Sequence, residues 1–183
     1  MKRIGKPPTD AGKTADKTVR QKPVAPLADR ERVTTMEQMR DLFTTPNVGA
    51  IVSEMVTDPK NVQYVGELLS DQVNEIRRDA VTALKTAAFN RYDITPAIDA
   101  LVNALKDPRL HDVKKIVGVL EDAAKQNRQT TNEAIVTEIT LMIQSPWFAD
   151  LGQTNNEHYL WLVPVLGNLM QLAGAKMRKE VVR

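Results

Sequence analysis

The chain contains no cysteine, which excludes disulfides, thiolate metal sites and thiol nucleophiles and leaves every redox compartment open. Histidine is nearly absent too. His111 stands at a helix start, and His158 follows Glu157; the two form no metal-spaced pair. No H-E-x-x-H, glycine-rich phosphate loop or G-x-S-x-G occurs either. An enzyme is therefore not expected, and no catalytic, cofactor or metal residue is assigned. The basic start MKRIGKPPTDAGK has no apolar run behind it, so it does not read as a secretory signal, and the cytoplasm is the expected location. Long hydrophobic runs are also lacking. Tyr159 to Ala175 gives 17 uncharged residues, close to the lower limit for a membrane span of ~20 residues. Pro164, Gly167, Asn168 and Gln171 inside that run, with a mean hydropathy of −0.34 for the chain, argue against an integral membrane role.

What is present favours helix. Ala, Leu, Val, Met, Gln and Glu dominate, aromatics make up only 4%, and Gly and Pro are few outside the termini. A chain of 183 residues with 42% hydrophobic content can bury one sizeable core, so a single all-α domain is expected. Charge is uneven. Residues 1–30 carry eight Lys or Arg against three Asp, and residues 176–183 carry four against one, whereas residues 31–175 hold 13 basic and 19 acidic side chains. An acidic body is flanked by basic ends.

Residues 1–32 contain Pro7, Pro8, Pro23 and Pro26 among Lys, Thr and Ala, with little to bury. Such a segment does not offset its ordering entropy and reads as a disordered arm in isolation. The helical domain is expected over residues 33–183. Thr34 followed by Glu37 suggests a capping box that starts a helix at Thr35. Thr45 and Pro46 suggest a cap and first helical residue, with a stop before Asp58-Pro59. Val62, Val65, Leu68 and Leu69 then share a face, and the run ends at Ser70-Asp71. The next helix lines up Ile76, Ala80, Val81, Leu84, Ala87 and Ala88 and ends near Asn90.

The pattern recurs. Thr95-Pro96 opens a helix with Ile98, Leu101, Val102 and Leu105 inward, which stops at Asp107-Pro108; Val113, Ile116, Val117, Leu120, Ala123 and Ala124 form the next apolar face. A shift of 36 residues superposes Val65 on Leu101, Leu69 on Leu105, Asp71 on Asp107, Leu84 on Leu120, and Ala87-Ala88 on Ala123-Ala124. Self-similarity at this period signals stacked hairpins, because one hairpin cannot cover its own apolar face. The arrangement over residues 60–127, with Asp71, Ile76, Arg77, Ala80 and Leu84 in one copy and Asp107, Pro108, Val113 and Leu120 in the next, resembles the HEAT repeat family; the second copy has Lys114 where the arginine sits in the first. The resemblance implies a right-handed stack of antiparallel helical hairpins, an α-solenoid of about two to three repeats, working as a binding scaffold. It also implies that Arg77 is structural, placed near Asp71 and Asp107 at the hairpin turns. Metal-dependent hydroxylases of this type would need His-Glu pairs that this chain lacks, and base glycosylases built on such repeats use a basic groove, unlike this acidic body.

Beyond residue 127 the pattern loosens. Thr130 with Glu133 suggests a second capping box, followed by an apolar face of Ile135, Val136, Ile139, Met142 and Ile143 and a stop at Ser145-Pro146. Residues 147–158 read as an insertion before a final helix kinked at Pro164.

Two candidate attachment points emerge. The first is the arm, with Lys2, Arg3, Lys6, Lys13, Lys17, Arg20 and Lys22. It is either a solvated tail or a segment that docks on an acidic surface, whether nucleic acid, anionic lipid or protein. The second is Trp147, Phe148, Tyr159 and Trp161, four aromatics within 15 residues, which either plug the open end of the stack or form a hot spot for a partner. Base stacking is disfavoured, since the neighbours are Asp150, Glu157 and amides rather than Lys and Arg. The expected function is a non-enzymatic adaptor or structural subunit of a multi-protein assembly; the alternative is a nucleic-acid-associated protein that uses the arm, Lys114-Lys115 and the basic C terminus on phosphates.

Overall fold

Short polar joints cut the chain into helices. The computed structural model describes residues 32–45, 47–107, 113–126 and 128–181, with side chains to residue 175; among these residues there are helices and no strand. The helices are α1 (Met36–Leu42), α2 (Val48–Thr57), α3 (Pro59–Glu67), α4 (Asn74–Phe89), α5 (Ile98–Ala104), α6 (Val113–Lys125), α7 (Gln129–Ile143), α8 (Pro146–Thr154) and α9 (Asn156–Val181). One 3-10 turn, Leu68–Ser70, extends α3, and another, Thr95–Ala97, leads into α5. No helix among the described residues is long and apolar enough to cross a membrane.

The boundaries follow from capping chemistry. Asp58 ends α2 by donating its N–H to the Glu54 carbonyl and starts α3 by accepting the Lys60 N–H on its carboxylate at 2.8 Å. Pro59 takes the first helical position, where its missing N–H costs nothing. Ser145 and Pro146 do the same for α8. Asn155 closes α8 through an N–H bond to Leu151 and accepts the His158 N–H of α9 on its side chain.

Several starts differ from the sequence expectation. The first capping box pairs Thr35 with Gln38, not Thr34 with Glu37: the Gln38 amide oxygen accepts the Thr35 N–H and also the Thr34 N–H and hydroxyl. Asn47, rather than Thr45, caps α2; Pro46 lies outside the described residues. Thr95 does not cap α5: the Asp93 carboxylate holds its N–H and hydroxyl, and the backbone makes a 3-10 turn first. Thr130 lies inside α7, whose cap position is Arg128, and Glu133 accepts from Gln129 instead. The expected insertion is α8, and α9 continues through Pro164 as one helix of 26 residues. Ile143, expected on the apolar face, is exposed, whereas Met142 beside it in the last turn of α7 is buried.

Apolar stripes at helical spacing drive the packing. In α4, Ile76, Ala80, Val81, Ala83, Leu84, Ala87 and Ala88 are all buried, too broad a stripe for one neighbour to cover, and α4 packs on α2, α3 and α6. The pairings alternate: α2 meets α4, α4 meets α6 and α6 meets α9, while α3 meets α5 with its leading turn, α5 meets α7, and α7 meets α8 and α9. All six residues expected on the α4 face and all four on the α5 face are buried. Burying one leucine contributes roughly 2–3 kcal/mol, against roughly 0–1 kcal/mol for a surface ion pair. Stability therefore rests on Leu84, Leu101 and Leu120, all at 0% exposure, rather than on Lys125 with Glu121 and Asp122.

Polar ties fix the register between packed helices. The Thr95 and Thr131 hydroxyls lie 2.7 Å apart across the α5–α7 contact. After α4, Arg91 takes the left-handed conformation (φ 63°), allowing the Tyr92 N–H to reach the Ala87 carbonyl. Gln126 donates to the Ala88 carbonyl and Arg128 to that of Arg91, so the turn after α6 grips the turn after α4.

Gly66 sits where α3 and α5 approach most tightly: a Cβ there would stand 3.1 Å from Ala97 Cβ and 3.2 Å from Ala100 Cβ. Gly66→Val is expected to lower unfolding stability by about 1–3 kcal/mol through overpacking. Gly118 in α6 offers the contrast, since a Cβ there meets only Lys85 Nζ at 3.7 Å. Gly118→Ala should raise stability by about 0.5–1 kcal/mol through helix propensity. Urea unfolding of both variants measures the pair.

Candidate interaction sites

The joint between α3 and α4 gathers charge. Asp71 follows the 3-10 turn, and its carboxylate accepts the Val73 N–H at 2.8 Å, which fixes the entry to α4. Its other partner comes from α1: Arg40 donates from Nε at 2.7 Å and from Nη2 at 3.3 Å, a forked charge-assisted pair. Hydrogen bonding from Arg40 holds the Asp71 carboxyl below its ordinary value, burial opposes this, and the Val73 N–H adds to it.

Arg77 engages the same turn differently. Its Nη1 donates to the Asp71 carbonyl at 2.5 Å and to the Gln72 carbonyl at 3.2 Å, and Nη2 donates to the Asn74 side chain at 3.2 Å. Arg77 thus binds backbone, and the Asp71 carboxylate is held by Arg40. Nothing in the local sequence around Arg77 points to a residue 31 positions before Asp71. Asp71, Arg77, Asn103 and Asp107 line a cavity of about 580 Å³ between the ends of α3 and α5.

The aromatic end is assembled from two helices. Ser145-Pro146 sets the start of α8 and so places Trp147 and Phe148 in its first turn; the Asn155 corner brings His158, Tyr159 and Trp161 back against them. Phe148 and Tyr159 have ring centroids 5.5 Å apart, and Trp147 lies 6.4 Å from Phe148. All four predicted aromatics are half-buried and pack against the core. His158 joins them, stacked on Trp161 at 5.9 Å and edge-on to Trp147 at 6.3 Å. Its Nε2 donates to the Leu105 carbonyl at 3.1 Å, which pins α9 to the end of α5. Lys106 Nζ stands 5.8 Å from the Trp147 ring, a cation–π contact. His158 was legible only as the residue three before Trp161 on a helix, a spacing that brings side chains together.

A third feature has no sequence signal. Between α4 and α6 a groove of about 530 Å³ is lined by Thr82, Lys85, Thr86, Phe89, Asn90 and Lys115. Phe89 is 76% exposed at its edge. The arm residues Lys2, Arg3, Lys6, Lys13, Lys17, Arg20 and Lys22 lie outside the described residues, as does His111. Among the described residues no cluster of three or more His, Asp or Glu could hold a metal.

The Asp71 pair carries a pH signature. Its folded pKa is depressed, so the stability it contributes is present above the unfolded carboxylate value of about 3.9 and is lost as pH falls through the folded value. At pH 7, Asp71→Asn should melt at a lower temperature than the unmodified chain. That difference should narrow steadily below pH 4 in a thermal-unfolding series.

No family model, no curated protein and no solved structure matches this chain.

Proposed function

We propose that this chain is a HEAT-like array of helical hairpins that acts as a non-enzymatic scaffold or adaptor, a structural subunit within a larger multi-protein assembly. The observation that carries the reading is the alternating packing together with the 36-residue offset. Leu69 and Leu105, Leu84 and Leu120, and Ala87-Ala88 and Ala123-Ala124 are equivalent in sequence and all buried, and the helices that bear them pack on each other. Arrays of this kind present long surfaces built from successive units, which suits them to holding partners.

Two attachment points support the adaptor role. The basic arm supplies a cationic segment, and the aromatic end supplies half-buried Trp147, Phe148, Tyr159 and Trp161 with Lys106 alongside. Large rigid rings lose little rotamer freedom on binding, which is why such clusters dominate interface energetics.

Affinity capture of partners should fall at least about tenfold for a chain lacking residues 1–32, and likewise for Trp147→Ala/Trp161→Ala, with circular dichroism confirming that the helices persist. Unchanged recovery from both variants would remove these attachment points. Retention on immobilised nucleic acid separates the other reading: six phosphate contacts would weaken binding by ~10³ or more between 50 and 200 mM salt. The adaptor reading expects no such salt-sensitive retention.

A further inference from the structure

The last helix carries a long exposed face that is free of charge from Tyr159 to Ala175. Along α9, Glu157, Leu160, Val163, Pro164, Gly167, Asn168, Gln171 and Ala175 are exposed, while Leu162, Leu166, Leu169 and Ala173 are buried against the helices packed on its opposite side. Leu160 is 63% and Val163 40% exposed, and no charged residue occurs from Tyr159 to Ala175. The exposed sides of α4 and α6 differ: they carry Arg78 and Lys85, and Lys114, Lys115 and Lys125. α9 packs on α6 as α6 packs on α4, so its bare side continues the surface that a further helix would cover.

We infer that this face pairs with a second copy of the same chain, α9 against α9, antiparallel about Gly167. The order of residue sizes along the stripe fits that partner. Glu157, Leu160, Pro164, Gly167, Gln171 and Gly174 are spaced alternately by three and four, so they share one side of the helix. On this stripe Leu160 stands seven residues before Gly167 and Gly174 seven residues after it. In an antiparallel pair centred on Gly167, Leu160 of one copy falls opposite Gly174 of the other, and Val163 falls opposite Gln171. A Cβ at Gly167 or Gly174 would meet no atom within 4 Å, so both positions leave room for a neighbouring backbone or side chain.

Charge gives the same alignment. Glu157 lies ten residues before Gly167, about 15 Å along the axis at 1.5 Å per residue, and the sequence places Arg178 about as far beyond it. Antiparallel pairing sets each Glu157 beside the partner copy's basic end, twice over by symmetry, whereas parallel pairing would set like charges together. A two-fold contact of this kind closes on itself and yields a dimer rather than a filament. One helix pair buries area at the low end of specific interfaces, so the dimer is expected to dissociate in the micromolar range. The aromatic cluster lies on other sides of α8 and α9, so the inference stands apart from the scaffold reading.

The test uses the full chain. Sedimentation equilibrium should show mass rising with concentration from 20.4 kDa toward twice that value. Leu160→Glu/Val163→Glu changes only exposed positions; it should raise the dissociation constant at least about tenfold while leaving helicity and melting temperature in place. Because the chain has no cysteine, single cysteines report the register. Gly167→Cys should oxidise to a disulfide-linked dimer, Leu160→Cys alone should not, and an equal mixture of Leu160→Cys and Gly174→Cys should give the mixed dimer. A chain that stays monomeric into the hundred-micromolar range overturns the inference. So does a dimer indifferent to the two glutamates, or Leu160→Cys self-linking as readily as Gly167→Cys; dimers of that kind would point to another face or another register.

Discussion

Burial of α4 on more than one side is the constraint from which the rest of the structure follows. Its stripe includes four alanines, at 80, 83, 87 and 88, and their small side chains let α2 and α6 come close to the helix axis. Leucine or valine in their place would push the neighbours apart and open voids around Val81 and Leu84, which close packing does not tolerate. Gly66 meets the same demand between α3 and α5. The packing depends on small residues at these contacts and on branched ones between them.

Polar groups add specificity to a packing that hydrophobic matching alone would leave free to slide. Arg40, Asp71 and Arg77 tie α1, the joint after α3 and α4 into one network, in which the carboxylate is shared between a guanidinium and a backbone N–H. Removing the carboxylate would leave Arg40 without that partner and the Val73 N–H, at the entry to α4, without its acceptor. The pair of adjacent arginines at 77 and 78, which invites a reading as a phosphate clamp, divides its work. Arg77 points back into its own turn, and Arg78 stays at the surface.

Much of this was legible in the sequence, because helix existence follows from periodicity and composition. Every residue placed inward on α4 and α5 is buried, since spacings of three and four leave little choice of face, although Ala83 also belongs to the α4 stripe. The misreadings are local and have local causes. Thr34 and Thr35 are both competent caps, and the choice fell to the reach of Gln38. Thr130 and Glu133 match a capping box, but Thr131 is drawn inward to Thr95, and the helix starts two residues earlier than that box requires. Residues 147–158 looked like an insertion because they mix aromatics with Gly and Asn, yet a serine cap, a first-turn proline and Leu151 suffice for a short helix. Arg40 with Asp71, and His158 with the Leu105 carbonyl, join residues 31 and 53 positions apart, and no spacing rule in one sequence reports such pairs.

Asp58 and Asn155 each close one helix and open the next. A joint in which one residue performs both tasks has no spare length, so rotating the second helix about its axis must rotate the end of the first. Such corners behave as stiff universal joints rather than as strings. Inserting even one residue at either would turn the following apolar stripe by about 100° and carry it away from its neighbour, so variation in chain length is excluded from these two corners by geometry alone.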